Sequence, residues 1–600
     1  MTIFGRVVLS LGLCATLVAC SGGGSSKTPN GGGNATPTPA GQPTATPVGA
    51  TPTPAGATPT PHGSGAPTAT PTALPTTTSS PAPTPASTNG PALTADATAS
   101  RHAISPDIYG VSIFWSSSTP ADLVSFAKAI ELPTNRYGGD GTTRYNWNVD
   151  SSNAGSDWYF MAGNGEASVT PGASVDTIVQ GNQVNGTKSI ITVPIIDYIN
   201  KSATTNCSYP NPPVTGQVGI NGNPAYNPYV TLPGGVQCGS GSNSAGYITD
   251  SNPLATDIAN TPAIQQAWVS HFVSKFGSAG HGGVPIYELD NEPNGWIAVH
   301  HDVRPQNIGY NELFSKSLAM AKAIKAADPT ALVLGPDDIP PADENCNSGG
   351  VAGTCNGDNA SEHGGTALGL WYLPQFAAQG TRYLDYYAMH YPGACCFSTN
   401  GTLADMVTAI QRHKGWIASA YPGTKLAYDE WNRGTGNGFS NALSTADGLG
   451  VFGQQAVDLA SFWGLSDATY PSAYAFLMYR NYDGSGSAFG DTSVAATSAD
   501  TTRLTIYAAQ RSTDSGLTIL VVNSASTTQT STLTLSDITV SQPVLVYQYT
   551  SANASKIVQL SPLAPASSLT VAFPAQSLTM LVVPSGSTPL SHARAGVARH

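Results

Sequence analysis

Charge is scarce in this chain. Only 10% of its 600 residues are Asp, Glu, Lys or Arg, and 36 acidic residues against 24 basic ones leave a formal net charge of −12. That sign excludes a nucleic-acid partner and disfavours acidic polysaccharides such as pectin. Cysteine is sparse as well: there are eight, none at zinc-site spacing, and no acidic loop has the spacing of an EF-hand. Asp337, Asp338 and the loops of Asp140 and Asp150 do offer hard oxygen ligands, so a structural calcium is conceivable, but no cofactor is required. All nine tryptophans lie before Asp500, which leaves the C-terminal part without an aromatic platform. The apolar run Val7 to Val18 is too short to span a bilayer comfortably.

What is present begins with that run. Arg6 ahead of it and Leu17-Val18-Ala19-Cys20 behind it read as an export signal over residues 1–20 ending in a lipobox, with Cys20 as the lipidation site and a membrane anchor implied. An ordinary secretory signal is the alternative. Residues 21–91 are a Thr/Pro/Gly-rich linker in which Lys27 is the only charged residue up to Gly90, a composition that cannot form a core. With Cys14 removed and Cys20 lipidated, six cysteines remain, and proximity favours disulfides Cys207 with Cys238 and Cys346 with Cys355. Cys395 and Cys396 are adjacent and left unassigned.

From residue 108 to 500 short β-like runs alternate with helical ones. Strands are expected at Tyr109 to Phe114, Asn135 to Gly138, Ser189 to Ile196, Ile286 to Leu289, Ala331 to Leu334, Tyr383 to Met389, Lys425 to Tyr428 and Ala473 to Met478. Helices are expected near Asp122 to Ile130, from Pro262, at Tyr310 to Ala327 and at Leu403 to Ser419. Eight strands each followed by a helix make an α/β chain closed as a (β/α)8 TIM barrel. Glu292, in Asp290-Asn291-Glu292-Pro293, then follows strand four, and Glu430, in Tyr428-Asp429-Glu430-Trp431-Asn432, follows strand seven. Both stand at the carboxyl rim, where such barrels keep their chemistry, and two carboxylates are what glycoside cleavage requires. Arg136 at the end of strand two, and His390 and Tyr391 after strand six, share that rim.

Residues 501–585 change to period-two runs separated by Ser, Thr, Asn and Asp, an added all-β sandwich to which residues 92–107 can contribute a strand at Leu93 to Asp96. A packing role is expected of it. Residues 586–600 are a tail.

The run Arg136 to Trp147, the run Asp150 to Phe160, Leu289-Asp-Asn-Glu-Pro293 and Tyr479-Arg-Asn-Tyr-Asp-Gly484 together resemble glycoside hydrolase family 44, the retaining endoglucanases and xyloglucanases. The resemblance covers roughly residues 92–584. It implies that Glu292 is the general acid and base and Glu430 the nucleophile, with the two carboxyls about 5 Å apart rather than the wider spacing of an inverting enzyme. Glu292 must stay protonated until it donates. Asn291 is expected on the sugar 2-hydroxyl, Tyr391 or His390 against Glu430, and Arg136 either on the Glu430 carboxylate, lowering its pKa, or bracing the Asp140 loop. Trp115, Trp147, Trp296 and Trp431 are candidates for stacking on sugar rings and Tyr479 for a supporting role, whereas Trp268 and Trp371 lie within helices and are expected in the core. Asp429 and Trp431 flanking Glu430 depart from the hydroxyl- or aliphatic-rich run expected there. The resulting expectation is a monomeric, exported endo-β-1,4-glucanase acting on a neutral β-glucan such as cellulose-type glucan or xyloglucan. A β-1,4-xylanase or mannanase, or an inactive glycan-binding lipoprotein, is the alternative.

Overall fold

The computed structural model describes residues 88–113, 115, 119–163, 170–219, 226–232, 234–339, 362–391, 401–434 and 436–585. The signal, the lipobox Cys20, the linker up to residue 87, the tail, and Cys346, Cys355, Cys395 and Cys396 lie outside the described residues.

Eight parallel strands close a barrel in chain order: β1 (Gly110–Val111), β2 (Thr134–Tyr137), β3 (Lys188–Val193), β4 (Ile286–Leu289), β5 (Leu332–Asp338), β6 (Tyr386–Met389), β7 (Lys425–Trp431) and β8 (Leu459–Phe462), with β8 returning to β1. Each is followed by a helix: α1 (Ala121–Ala129), α2 (Ala173–Asn185), α3 (Pro262–Phe276), α4 (Tyr310–Ala327), α5 (Leu368–Ala377), α6 (Leu403–Ala420), α7 (Ser440–Gln454) and α8 (Pro471–Arg480). The helix starts have local causes. Thr261 accepts from Ile264 N–H ahead of Pro262, and Thr402 and Asp405 cap α6 reciprocally.

The expected eighth strand, Ala473 to Met478, is instead part of α8, and β8 is Leu459–Phe462. The reason is burial. α8 is wedged between the barrel and the β-domain and buries Ala473, Ala475, Phe476, Met478 and Tyr479, so it shows no polar face from which a helical period can be read. Pro471 at its first turn is the signal that favours a helix.

Inside the barrel the side chains change character with height. Register sets Ile286 beside Ile190 and, two residues on, Glu288 beside Thr192. Ile190, Ile286, Leu334, Tyr386, Ala388, Ala427 and Leu459 form an apolar floor, while Tyr287 and Leu289 point the other way into the core shared with the helices. The inward positions nearer the carboxyl end are charged.

The β-domain joins Leu93–Asp96 to β9 (Thr492–Ser498), β10 (Leu504–Gln510), β11 (Leu517–Asn523), β12 (Gln529–Ser536), β13 (Val544–Thr550), β14 (Asn553–Leu563), β15 (Ser568–Phe573) and β16 (Ser577–Val583). β9 and β14 fall outside the period-two runs, and β9 starts ahead of the boundary at residue 501 read from the sequence. β9 changes partner along its length: Thr492 to Val494 pair with β10, and Ala495 to Ser498 pair with Leu93–Asp96, so the sheet folds over into two layers. Leu93, Leu533, Leu569 and Phe573 of one layer meet Leu517, Ile519, Val521 and Leu581 of the other. The outer face of the second layer is buried too, because Leu520, Val522, Leu578, Met580 and Val582 join the barrel core. Asn89 and Gly90 already hydrogen-bond to Thr530, so the domain begins before residue 92.

Cys207 and Cys238 are joined in the insertion between β3 and α3, under which Trp158, Tyr159 and Met161 pack. Among the described residues no helix is long and apolar enough to cross a membrane.

Candidate active site

Arg136, at the end of β2 and fully buried, organises the carboxyl rim. Its Nε and Nη2 donate to the two oxygens of Glu288 at 2.8 and 2.6 Å, Nη1 donates to Glu430 Oε2 at 2.6 Å, and Nη2 also donates to Asn291 Oδ1 at 2.8 Å. Asp337 Oδ2 lies 3.1 Å from Nη2 and Asp429 Oδ2 3.6 Å from Nε. The guanidinium lies against Gly138, where a Cβ would stand 2.2 Å from its Cζ, so the position two residues after Arg136 admits only glycine without displacing the arginine.

Two backbone irregularities present the glutamates. At the end of β4, Asp290 and Glu292 are left-handed, with φ of 70° and 48°, a conformation that costs roughly 1–3 kcal/mol per residue and survives only where neighbours enforce it. Here Asp290 accepts from the N–H groups of Ile195, Ile196 and Asn291, Trp296 Nε1 donates to the Asn291 carbonyl at 3.1 Å, and Glu292 N–H donates to the Asp337 carbonyl at 3.1 Å. Pro293 also bars Glu292 from the right-handed helical region. In β7 the register slips between Tyr428 and Trp431, and consecutive Asp429 and Glu430 both approach Arg136, which regular alternation forbids.

His390, at the end of β6, bridges the glutamates. Its Nδ1 is 2.7 Å from Glu292 Oε1 and 3.9 Å from Glu430 Oε2, and its Nε2 is 3.2 Å from Asp337 Oδ2. Burial disfavours the imidazolium, but the Glu430 charge and the Glu292 contact outweigh it and push its pKa up to about 9. Tyr391 N–H donates to the Glu430 carbonyl, and the tyrosine is buried against both glutamates. The expected lowering of Glu430 by Arg136 is overcome: burial and the Glu292 charge leave its pKa raised, although His390 and Arg136 pull it down. An oxygen of Glu292 and one of Glu430 lie within 4.8 Å of each other and of a His390 nitrogen. The Glu292 side chain is 18% exposed and that of Glu430 8%, so both reach solvent while Glu288, Asp337 and Asp429 at 0% do not.

Asn291 has a fixed amide. Its oxygen accepts from Arg136 and from Gly139 N–H, and its nitrogen donates to Asp140 Oδ1 at 3.0 Å. Asp140 in turn hydrogen-bonds to Asp157, whose pKa is pushed up to about 6 by burial and by the Glu292 and Glu430 charges. Arg136 therefore bonds the Glu430 carboxylate and reaches the Asp140 loop only through Asn291.

The aromatic expectations need correction. Trp431 is 1% exposed, set edge-on between Phe452 and Phe462, and cannot stack on a sugar. Trp296 is equally buried and braces the β4 turn. Trp115 is buried against Asn182, and Trp147 lies tilted against His271 with its N–H on the Ile264 carbonyl. Tyr479 lies in α8 with its hydroxyl on the Ala446 carbonyl, away from the rim. Trp463, next after β8, is half-buried beside Gly139 at the rim, and a sequence reading that misplaces β8 misses it. The same reading misses Glu288 and Asp429; period-two counting back from Glu292 and Glu430 fails across the left-handed turn and the register slip.

Two groups among the described residues carry metal-ligating atoms within 4.8 Å of one another, Glu292, His390 and Glu430, and Asp337, His390 and Asp429. Asp140, Asp150 and Asp338 belong to neither, and Asp150 accepts from Tyr145 and Ser174.

A parallel barrel with two partly exposed carboxyls at its carboxyl rim is an architecture suited to glycoside hydrolysis. The family model described as Glycoside hydrolase family 44 matches residues 151–393. CelM2, a bifunctional glucanase-xylanase from a metagenome library, has a solved structure 31% identical to this chain, with a TM-score of 0.73 over 83% of this chain and 99% of that one. A family 44 xyloglucanase from Paenibacillus polymyxa is 25% identical with a TM-score of 0.64, over 82% and 99%. Endoglucanase A of Paenibacillus lautus is 28% identical over 488 residues, and beta-mannanase/endoglucanase A of Caldicellulosiruptor saccharolyticus 29% over 500, each alignment covering 72% of this chain. The chain spans 63% of the length of the first of these relatives and 34% of the second. This chain belongs to glycoside hydrolase family 44.

Proposed function

We propose that the chain is a retaining endo-β-1,4-glucanase that also accepts xyloglucan. The observation that carries the reading is that an oxygen of Glu292 and one of Glu430 lie within 4.8 Å of each other, a closeness that supports direct attack over inversion through an intervening water. Glu292 donates its proton to the glycosidic oxygen as a Glu430 oxygen attacks the anomeric carbon, the aglycone leaves, and a glycosyl ester forms. Glu292, now a carboxylate, takes a proton from water, which attacks the same carbon and releases Glu430. Over the first step negative charge passes from Glu430 to Glu292, and the His390 imidazolium, 3.9 Å from one and 2.7 Å from the other, stabilises both arrangements. Trp463 supplies the aromatic face at the rim. The glucanase and xyloglucanase names carried by relatives support the substrate class. Export with a lipid on Cys20 and a neutral β-glucan partner fit this reading; fatty-acid labelling lost in Cys20→Ser tests the anchor.

The experiment is release of reducing ends from carboxymethyl cellulose, xyloglucan, xylan and mannan, with proton NMR of the first-formed anomer. Glucan cleavage with β-anomer release, lowered at least roughly 10²-fold in Glu292→Gln and Glu430→Gln, is expected. An α-anomer as first product sinks the retaining mechanism, and near wild-type turnover in either folded variant sinks the residue assignment.

A further inference from the structure

Beneath the two glutamates lie carboxyls that the reaction does not use. Asp337 and Asp429 are wholly buried, from β5 and β7, and a hydrogen count around them fixes where the protons sit. Arg136 Nη2 has two hydrogens and four neighbours, of which three are oxygens that accept from it, Glu288 Oε1 at 2.6 Å, Asn291 Oδ1 at 2.8 Å and Asp337 Oδ2 at 3.1 Å, and the fourth and farthest is a nitrogen. Three oxygens already compete for the two hydrogens, so His390 Nε2, 3.2 Å away, is served best as a donor, with Asp337 Oδ2 as its acceptor. Nδ1 faces Glu292 Oε1, and with the acid proton of Glu292 on Oε2 that oxygen accepts, so both ring nitrogens carry hydrogen. Asp429 is in the opposite position. Neither of its oxygens meets an N–H or hydroxyl donor, since Arg136 Nε, 3.6 Å off, already donates to Glu288 Oε2 at 2.8 Å. A carboxylate so placed would be buried without a hydrogen bond, and the neighbour within reach is the Asp337 carboxyl.

We infer that Asp429 is held as a neutral carboxylic acid whose O–H donates to Asp337, and that the Asp337 carboxylate keeps His390 doubly protonated between Glu292 and Glu430. Asp337 and Asp429 are positioning residues acting through His390. Burial, with the Asp337 and Glu288 charges, pushes Asp429 well up; burial and the Glu288 charge push Asp337 up too, but the hydrogen bond between the pair lowers Asp337 and raises Asp429, and Arg136 lowers both. The groups facing the pair are Glu288 from β4, Arg136 from β2 and His390 from β6, and those facing His390 are Glu292, Glu430, Asp337 and Arg136. The role rests on the reading of Glu292 and Glu430 given above, whereas the protonation state does not.

Infrared spectroscopy of the full chain with carbon-13-labelled aspartate tests it without substrate. A protonated-carboxyl C=O band at neutral pH, shifted by the label and lost in Asp429→Asn, is expected. NMR of nitrogen-15-labelled histidine, with the His390 signal assigned by its loss in His390→Gln, is expected to show an imidazolium at pH 7 in the wild type and in Asp429→Asn, whose amide still donates to Asp337. In Asp337→Asn the signal is expected to become that of a neutral ring. Absence of the band, a neutral His390 in the wild type, or a stoichiometric divalent cation found by metal analysis on Asp337, His390 and Asp429 overturns the assignment. Because neither spectrum depends on turnover, an inactive protein that passes both tests refutes the proposed reaction and leaves the protonation intact.

Discussion

The carboxyl rim and the second layer of the β-domain are removed from water to the same degree by opposite means. Every residue of β11 and β16 is buried, and nearly all that they bury is aliphatic or hydroxyl-bearing. Around Arg136 the buried side chains are ionisable: Glu288, Asp337, Asp429 and Glu430, with His390 and the edge of Glu292. Apolar burial contributes about 1.5–3 kcal/mol for each large side chain, whereas a buried ion pair at best offsets its own desolvation. The sheet therefore stabilises the barrel it covers, and the rim is a cost that the rest of the fold carries for the sake of a site.

The sharpest way to break this contrast is Arg136→Leu, which leaves several carboxyls without their cation. Stability is expected to fall by about 3–5 kcal/mol and activity to vanish; a urea midpoint close to wild type would mean that water or protons already neutralise the cluster. Glu292→Gln is expected to lower kcat by roughly 10²–10⁴-fold with little change in Tm, so that chemistry and stability separate at the rim. Leu520→Ala, between the sheet and the barrel, should do the reverse, costing about 2–5 kcal/mol of stability with kcat per folded molecule unchanged. Activity lost in proportion to neither would show that the sheet shapes the cleft.

A pH series sharpens the same comparison. His390 titrates near 9 when folded, against an ordinary value of 6.5, so its contribution is complete below about pH 6.5 and is lost as pH rises through about 9. The raised carboxyls of Glu430 and Asp429 act in the same direction, since the folded chain holds their protons longer. Stability should decline across that window in chemical denaturation, and less steeply in His390→Gln. The smallest effect belongs to the surface: Thr402→Ala removes the cap of α6 and should cost about 1 kcal/mol at any pH where Asp405 is ionised.

Local signals are legible where one force acts alone. α4 follows from its spacing at Tyr310–Ala327, α3 from Thr261 and Pro262, and the two glutamates from the apolar strands that precede them. Legibility fails where tertiary context replaces a local signal. α8 is buried nearly all round and reads as a strand, while β8 has four residues and little β-branched character. Trp431 adjoins Glu430 in sequence yet points into the core, because the register slip turns its neighbours toward Arg136. Asp429 reads as a departure from pattern, and its meaning depends on Asp337, which a sequence cannot bring beside it.

Leu93–Asp96 has one further consequence, for the order of events during synthesis. It lies between β9 and β12, and the Thr94 hydroxyl meets that of Thr497 across 403 positions of chain. The strand emerges first and its partners last, so an unpaired edge must wait while the whole barrel is made, and so remote a contact slows folding. Closure of that strand is then the step that joins the two ends of the folded region, and a chain halted before Thr492 should remain prone to aggregation even with every barrel strand complete.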